Sequence, residues 1–359
     1  MIMRIVITGA SGNVGTALLR RLQDTGEHDL VGVVRRPPRP AGVYERVQWH
    51  SLDLAEQDAQ VRLRPILDGA DAVVHLAWGF QPTRNTGYLR RQGVGGTTAV
   101  LQAADAVSVG QLLHMSSVGT YAAGRYGERV DESWSTAGIP TSPYSRNKAA
   151  AEALLDGYER DHGDAGVAIT RMRPGFIVQH AAASGLMRYS LPGFVPMRTV
   201  PWLPVLPLDR QLRIPLIHSD DVADAFIAAI ERRATGAFNL AAEPPLTRDA
   251  VAEVLRAKAV HVPSGLLGTL VDVSWRARLQ PIDRGWLDMA FSVPLLDCAR
   301  ARAELDWEPR WTSTAALADV LGGVAQEAHA DSPPLRRRSL LEQLQRDLTK
   351  GLLTTRPLP

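Results

Sequence analysis

The chain has 359 residues, of which 45% are hydrophobic and 22% charged, ordinary values for a folded protein and long for one compact core. Lysine and arginine number 40 against 38 acidic residues, a net charge of +2, which gives no reason to expect nucleic acid or an anionic membrane as the main partner. The one cysteine, Cys298, excludes an intramolecular disulfide and reads as a packed thiol in a reducing cytoplasm, and no apolar run is long enough to span a bilayer.

Met3 to Ile7 reads as a buried strand that enters the fold, not as a cleavable signal. It breaks at Thr8-Gly9, and a helix-forming run follows from Thr16 to Leu22. Between them the glycines recur as G-x-x-G-x-x-G. Gly9 permits a tight turn, Gly12 lets backbone approach a pyrophosphate, and Gly15 lets helix and strand pack closely. Ser11, Asn13 and Val14 complete this turn. The helix N-terminus offers N–H groups and partial positive charge to phosphates. Strand, turn and helix in this order point to dinucleotide binding.

A second strand runs from Asp29 to Val34 and ends in Arg35-Arg36. Dinucleotide sites usually place an acidic residue there for the adenosine ribose. Guanidinium groups suit a 2′-phosphate, so NADP is favoured over NAD, against the plainer reading of a solvated basic turn before Pro37-Pro38. Val47 to Leu52 reads as a third strand ending at Asp53-Leu54. Asp53 either accepts from the adenine amino group or caps a helix that starts near Ala55. A fourth strand, Ala72 to Leu76, runs into Ala77-Trp78-Gly79. Strand ends are where ligands bind in parallel sheets, so Leu76, Ala77 and Trp78 are cofactor contacts, Trp78 as a wall. His75 alone makes no metal site.

A helix from Thr86 to Val107 leads to a fifth strand at Gln111 to Ser116, and the alternation continues to a strand at Val167 to Arg173. This is an α/β pattern: a doubly wound, mainly parallel sheet. From Phe176 the prolines Pro192, Pro196, Pro201, Pro204 and Pro207 punctuate an apolar stretch, which reads as a substrate cover or as a loop packed on the core. A strand (Arg213 to Ile217), a helix (Asp221 to Arg232), a strand (Ala237 to Leu240) and a helix after Leu246-Thr247 come next. Helices at Leu266 to Leu279, Cys298 to Leu305 and Ser313 to Ala328 complete the series. Ser332 to Arg338 reads as a linker with a solvated arginine turn. Leu340, Leu341, Leu344 and Leu348 line one face of a short helix in the 331–359 tail.

The chemistry gathers at Tyr144-Ser145-Arg146-Asn147-Lys148. Tyr144 and Lys148 are four apart and share one helix face. A nearby ammonium is expected to lower the tyrosine pKa and make a general acid/base. Lys148 also suits the nicotinamide ribose hydroxyls. Ser117, at the end of the fifth strand, suits the substrate oxygen, whereas Ser116 points back into the strand. His218, Asp220 and Asp221 lack a converging set of metal ligands, and Asp220 suits an N-cap.

These residues resemble the extended short-chain dehydrogenase/reductase family, also called the NAD-dependent epimerase/dehydratase family. The resemblance rests on Thr8 to Gly15, Asp53-Leu54, His75-Leu76-Ala77, Ser116-Ser117, Tyr144 to Lys148, Arg173-Pro174-Gly175, Ile217 to Ala223 and Phe238-Asn239-Leu240. It implies a Rossmann-type domain over residues 1–175, with the 221–240 region returning to it, and a smaller C-terminal α+β substrate domain over 176–330. It further implies a Ser117–Tyr144–Lys148 triad, Pro174 facing the nicotinamide, and often a homodimer. The departures favour a less polar substrate. Phe176 stands where nucleotide-sugar enzymes often carry asparagine, and Val118-Gly119 follow Ser117 where sugar dehydratases carry Asp-Glu.

The leading expectation is therefore an NADP- or NAD-dependent oxidoreductase acting on a carbonyl or secondary alcohol of a small metabolite. A nucleotide-sugar epimerase with retained NAD is the alternative, and a non-catalytic sensor of the NADP(H) ratio is the third.

Overall fold

The computed structural model describes residues 2–79, 85–125, 127–191, 195–277, 279–280 and 282–339. In chain order the strands are β1 (Arg4–Thr8), β2 (Asp29–Val34), β3 (Gln48–Ser51), β4 (Ala72–His75), β5 (Gln111–Met115), β6 (Arg129–Val130), β7 (Ala168–Pro174), β8 (Phe176–Val178), β9 (Val205–Leu208), β10 (Arg213–Ile214), β11 (Leu216–His218), β12 (Gly236–Leu240), β13 (Leu246–Thr247), β14 (Lys258–His261) and β15 (Leu295–Leu296). The helices are α1 (Asn13–Thr25), α2 (Ala59–Leu67), α3 (Thr86–Arg90), α4 (Gly96–Ala106), α5 (Pro143–His162), α6 (Ala183–Ser190), α7 (Ser219–Glu231), α8 (Arg248–Leu255), α9 (Ser264–Arg276), α10 (Arg284–Ser292), α11 (Ala299–Leu305) and α12 (Ser313–Ala325).

Seven strands form one parallel sheet in the order β12-β7-β5-β4-β1-β2-β3. Side-chain alternation gives it two buried faces, as a doubly wound sheet requires. Ile5, Ile7, Val74 and Leu113 pack with Leu18, Leu22 and Phe226 of α1 and α7. Val6, Val31, Val73 and Leu112 pack with Leu63, Val100 and Leu155 of α2, α4 and α5. The strand order reverses beside β1: the chain crosses one way to β2 and the other way to β4. Thr8 is paired with Val33 on one side and His75 on the other, so a crevice opens past the carboxyl ends of these strands.

The remaining strands form two-stranded pieces: β8 with β11, β10 with β13, β9 with β14 and β6 with β15. Small apolar clusters hold β8, β10, β11 and β13 to α6, α8 and α12, through Met197, Val320 and Val324 on one side and Leu216, Leu246 and Ala316 on the other, while Val130 of β6 and Leu296 of β15 join the cluster around α1 and α7. Among the described residues no helix is long and apolar enough to cross a membrane.

The elements depart from the sequence pattern at identifiable places. The helix expected near Ala55 begins at Ala59, because Asp53 Oδ1 accepts from Ala55 N at 2.9 Å and holds a turn there. The strand expected over Arg213 to Ile217 is split at Pro215, which has no N–H to give; its carbonyl instead accepts from Phe176 N at 2.7 Å. The long helix from Thr86 contains a π-turn at Arg91–Gly95. At the start of α7 the cap is His218, whose Nδ1 accepts from Asp220 N at 3.2 Å; Asp220 lies in the first turn and pairs with Arg20.

The expected linker is instead a packed strap. Ser332 Oγ donates to the Ser11 carbonyl at 2.8 Å, and Leu335 is 3% exposed. Arg188 holds the carbonyls of Pro334 and Arg336, and Arg338 donates to the Val195 carbonyl at 2.6 Å, so two of the expected solvated arginine positions are anchored in the fold. The leucines expected to line a tail helix lie outside the described residues.

Candidate active site

The glycine turn is shaped by close approach. Gly9 has φ +72°, and a Cβ there would stand 2.7 Å from Ala77 N. A Cβ on Gly15 would stand 2.5 Å from the Ala10 carbonyl oxygen, so only glycine lets α1 start this near the strand. No side chain caps α1, and its first turn holds no acidic residue. Asn13 turns away from a capping role: its Nδ2 donates to the Ile177 carbonyl at 3.2 Å, and its Oδ1 accepts from Gln179 Nε2 and Ser219 Oγ, each at 2.8 Å. The leading N–H groups of α1 are left to a ligand in the crevice, the chemistry an anionic pyrophosphate needs.

From this turn a cleft of about 370 Å³ runs across the sheet edge. It is lined by Gly9, Ser11, Gly12, Asn13, Val14 and Gly15 at the turn, and by Arg35, Arg36, Asp53 and Leu54 beyond β2 and β3. Leu76, Ala77 and Trp78 line its middle, and Ser117, Tyr144, Lys148 and Pro174 its far end. Every residue expected to bind cofactor or to act in catalysis thus lines one cavity. Residues that the sequence reading missed also line it: Gln92, Leu186, Met289, and Pro333, Pro334 and Leu335 of the strap. The strap carried no readable signal, because its burial depends on Arg188 and Ser11, both more than a hundred residues away.

At one end Arg35 Nη1 donates to the Tyr88 hydroxyl at 2.8 Å, and that hydroxyl donates to Asp53 Oδ2 at 3.0 Å. This relay joins the ends of β2 and β3 to α3. Asp53 therefore holds a local turn with one oxygen and Tyr88 with the other, while still facing the cleft.

At the other end Ser142 Oγ caps α5 by accepting from Ser145 N at 3.3 Å, and Pro143 occupies the first helical position, which brings Tyr144 over the end of β5. Ser117 Oγ accepts from Gly119 N at 3.0 Å and lies beside the Tyr144 ring, the two standing 3.4 Å and 3.0 Å from where a Cβ on Gly119 would be. Ser116 points the other way, donating to Glu152 Oε1 at 2.5 Å. Trp286 of α10, a helix with no clear sequence signal, lies against the Tyr144 ring with centroids 5.3 Å apart.

The electrostatics differ from the expectation in one respect. Burial pushes the Tyr144 phenol up to about 12, with the Ser117 hydrogen bond opposing it. The expected lowering by Lys148 is not in force in this arrangement. Lys148 Nζ sits 6.0 Å from the Tyr144 ring centroid, donates to the Met115 carbonyl at 2.6 Å and rests on the Trp78 ring. Burial holds Lys148 well below its ordinary value, with Glu152 opposing. His75 is pushed down to about 3, chiefly by burial.

Comparisons with known proteins bear on the fold and the family. An uncharacterized Mycobacterium tuberculosis protein is 26% identical over 322 residues, covering 88% of this chain, although the chain spans only 29% of that relative's length. The dTDP-glucose 4,6-dehydratase of Streptomyces antibioticus is 26% identical over 86% of this chain and 88% of its own. Among solved structures, UDP-glucose-4-epimerase from Stenotrophomonas maltophila, with bound NAD and a formylated UDP-arabinopyranose, superposes with a TM-score of 0.68 at 21% identity, covering 90% of this chain and 98% of that one. The structure of gox2253 superposes with a TM-score of 0.70 at 23% identity, with the same coverage. The NAD dependent epimerase/dehydratase family matches residues 5–241, the span that carries the glycine turn, Ser117, Tyr144 and Lys148, and the chain belongs to that family.

Proposed function

We propose that this protein is an NAD(P)-dependent oxidoreductase acting on a carbonyl or secondary alcohol of a small, partly apolar metabolite, with Ser117, Tyr144 and Lys148 as its catalytic residues. The observation that carries this reading is that Ser117, Tyr144 and, one helical turn on, Lys148 line one end of a cleft that begins at the glycine turn. The Gly9-to-Gly15 turn and the start of α1 hold the pyrophosphate. Leu54, Leu76, Ala77 and Trp78 flank the dinucleotide, and Pro174 faces the nicotinamide. Arg35 and Arg36 receive a 2′-phosphate, which favours NADP. The nicotinamide cofactor, when bound, supplies the hydride donor or acceptor.

The chain's own residues handle the substrate oxygen. Ser117 Oγ donates to it, and Tyr144 Oη gives or takes the proton. The Lys148 ammonium offsets phenolate charge and holds the ribose hydroxyls. A phenol pushed up to about 12 is poorly suited to act as a base at neutral pH, so the cofactor's positive ring and a charged Lys148 are needed to bring it down.

A second reading, a nucleotide-sugar epimerase, is favoured by the likeness to epimerase structures that hold UDP-sugars. Phe176, where nucleotide-sugar enzymes often carry asparagine, weighs against it. Differential scanning with NADP, NAD and UDP-glucose separates the two readings. A ligand at a hundredfold excess over its Kd stabilises the folded state by about 2.7 kcal/mol. NADP is expected to raise the midpoint more than NAD, with no effect of UDP-glucose. Stabilisation by UDP-glucose, with NAD retained through purification, would put the epimerase first.

A further inference from the structure

Lys148 is 1% exposed, and among the described residues no carboxylate forms an ion pair with it. An ammonium in such a place must find compensation for the water it has lost. One N–H goes to the Met115 carbonyl at 2.6 Å. The other contact is the indole of Trp78, whose ring centroid lies 3.6 Å from Nζ, well inside the range of a cation–π interaction. Such contacts are strongest on tryptophan and when desolvated.

The position of that indole is built into the backbone. A Cβ on Gly93 would stand 3.0 Å from two atoms of the Trp78 ring, so a bare α-carbon inside the π-turn makes the seat for the indole. The ring also meets Tyr144 edge-on, with centroids 6.4 Å apart, and His114 likewise at 6.2 Å. Of the other ionisable groups packed around Lys148, only Glu152 supports its charge, and from a distance. His75 on β4 and His114 on β5 are both kept neutral by burial, and Glu152, one turn along α5, is engaged by Arg173 and Ser116.

We propose that Trp78 is a positioning residue for Lys148. Its indole face keeps the buried ammonium charged and aimed between the Met115 carbonyl and the cleft, and through Lys148 it sets how readily Tyr144 loses its proton. This inference rests on the reading of Tyr144 and Lys148 as an acid–base pair.

The test reads the Tyr144 phenolate directly, by its ultraviolet absorbance during a pH titration of protein saturated with NAD, with Tyr144→Phe as the blank. Lys148→Met is expected to raise the Tyr144 midpoint. Trp78→Leu is expected to raise it by about one pH unit, a tenfold change in phenolate at fixed pH. Trp78→Phe, which keeps a ring under the ammonium and guards against a folding defect, should move it by less than half as much. In a Lys148→Met background, Trp78→Leu should have no further effect. A normal midpoint in Trp78→Leu alongside a shifted one in Lys148→Met overturns the role of Trp78 alone. An equal shift from Trp78→Leu with and without Lys148 also overturns it, by showing direct action on Tyr144. If Lys148→Met leaves the midpoint unmoved, the acid–base reading fails and this inference falls with it.

Discussion

Replacing Glu152 with glutamine tests whether a buried ion cluster fixes the catalytic helix to the sheet. Glu152 is fully buried on α5, one turn past Lys148. Its Oε1 accepts from Ser116 Oγ at 2.5 Å and Arg173 Nε at 2.9 Å, and its Oε2 from Arg173 Nη2 at 2.8 Å, with Arg171 Nε 3.4 Å away. Arg171 keeps Asp156 and Glu159 as partners in the variant. Arg173, 5% exposed, loses its carboxylate partner and keeps neutral ones, the glutamine oxygen, the Tyr121 hydroxyl and the Glu132 carbonyl. Breaking one partner out of a buried pair costs about 3–5 kcal/mol, and retention of the Arg171 pairs places this case near the lower end. At about 2.1 cal/mol/K per residue, the unfolding entropy of the whole chain is about 0.75 kcal/mol/K, so a loss of 3 kcal/mol lowers the melting midpoint by about 4 °C.

The pH dependence has a definite sign. Burial raises the Glu152 pKa, but the arginines and Ser116 more than offset it, and the net shift is downward. A carboxylate whose folded-state pKa is depressed contributes its stability above the ordinary glutamate value and loses it as pH falls through the depressed one. The gap between wild type and Glu152→Gln, read by scanning calorimetry, should therefore be full at neutral pH and narrow below about pH 4.3. A midpoint shift under about 1 °C at neutral pH, or a gap that widens on acidification, refutes the reasoning.

Three further outcomes follow from the cleft. Gly15→Ala sets a Cβ 2.5 Å from the Ala10 carbonyl and pushes α1 off the turn; equilibrium dialysis should show at least a tenfold loss of affinity for NAD and NADP alike, about 1.4 kcal/mol. Arg36→Ala should weaken NADP by about tenfold and leave NAD within about twofold, as measured by calorimetric titration, since only one cofactor carries the 2′-phosphate. Truncation after Ala330 removes Ser332 from the Ser11 carbonyl and Leu335 from the cleft; it should speed cofactor release in stopped-flow displacement, and an unchanged off-rate would assign the strap to stability alone.

What the sequence discloses here is mostly local. β2 is read to the residue because its continuous apolar run is bounded by Asp29 and Arg35. The glycine turn is legible because Gly9 and Gly15 answer to steric demands that leave a fixed spacing. Ser117 separates from Ser116 by the alternation of a strand. The illegible parts depend on contacts between distant segments. Trp78 looks like a wall until Gly93 and Lys148 are seen on its two sides. The strap from Ser332 to Arg338 has the composition of a linker, and only Arg188 and Ser11 make it structure. Helix α10, with Gly285 early in its run, gives a weak local signal; its place beside Tyr144 comes from Trp286 and Met289. The high pKa of Tyr144 is hidden for the same reason: its burial, and the 6.0 Å between Lys148 Nζ and its ring, are tertiary facts.

The central claim, that Ser117, Tyr144 and Lys148 work on a substrate oxygen beside a nicotinamide ring, meets its most direct test in nicotinamide absorbance under turnover. Wild type and Tyr144→Phe are compared across a panel of small apolar carbonyl compounds with NADPH and NADH, with cofactor affinity measured for both proteins. The account predicts turnover by wild type on at least one compound and a loss of at least about a hundredfold in Tyr144→Phe, at unchanged cofactor affinity. Equal turnover by the two proteins would contradict it.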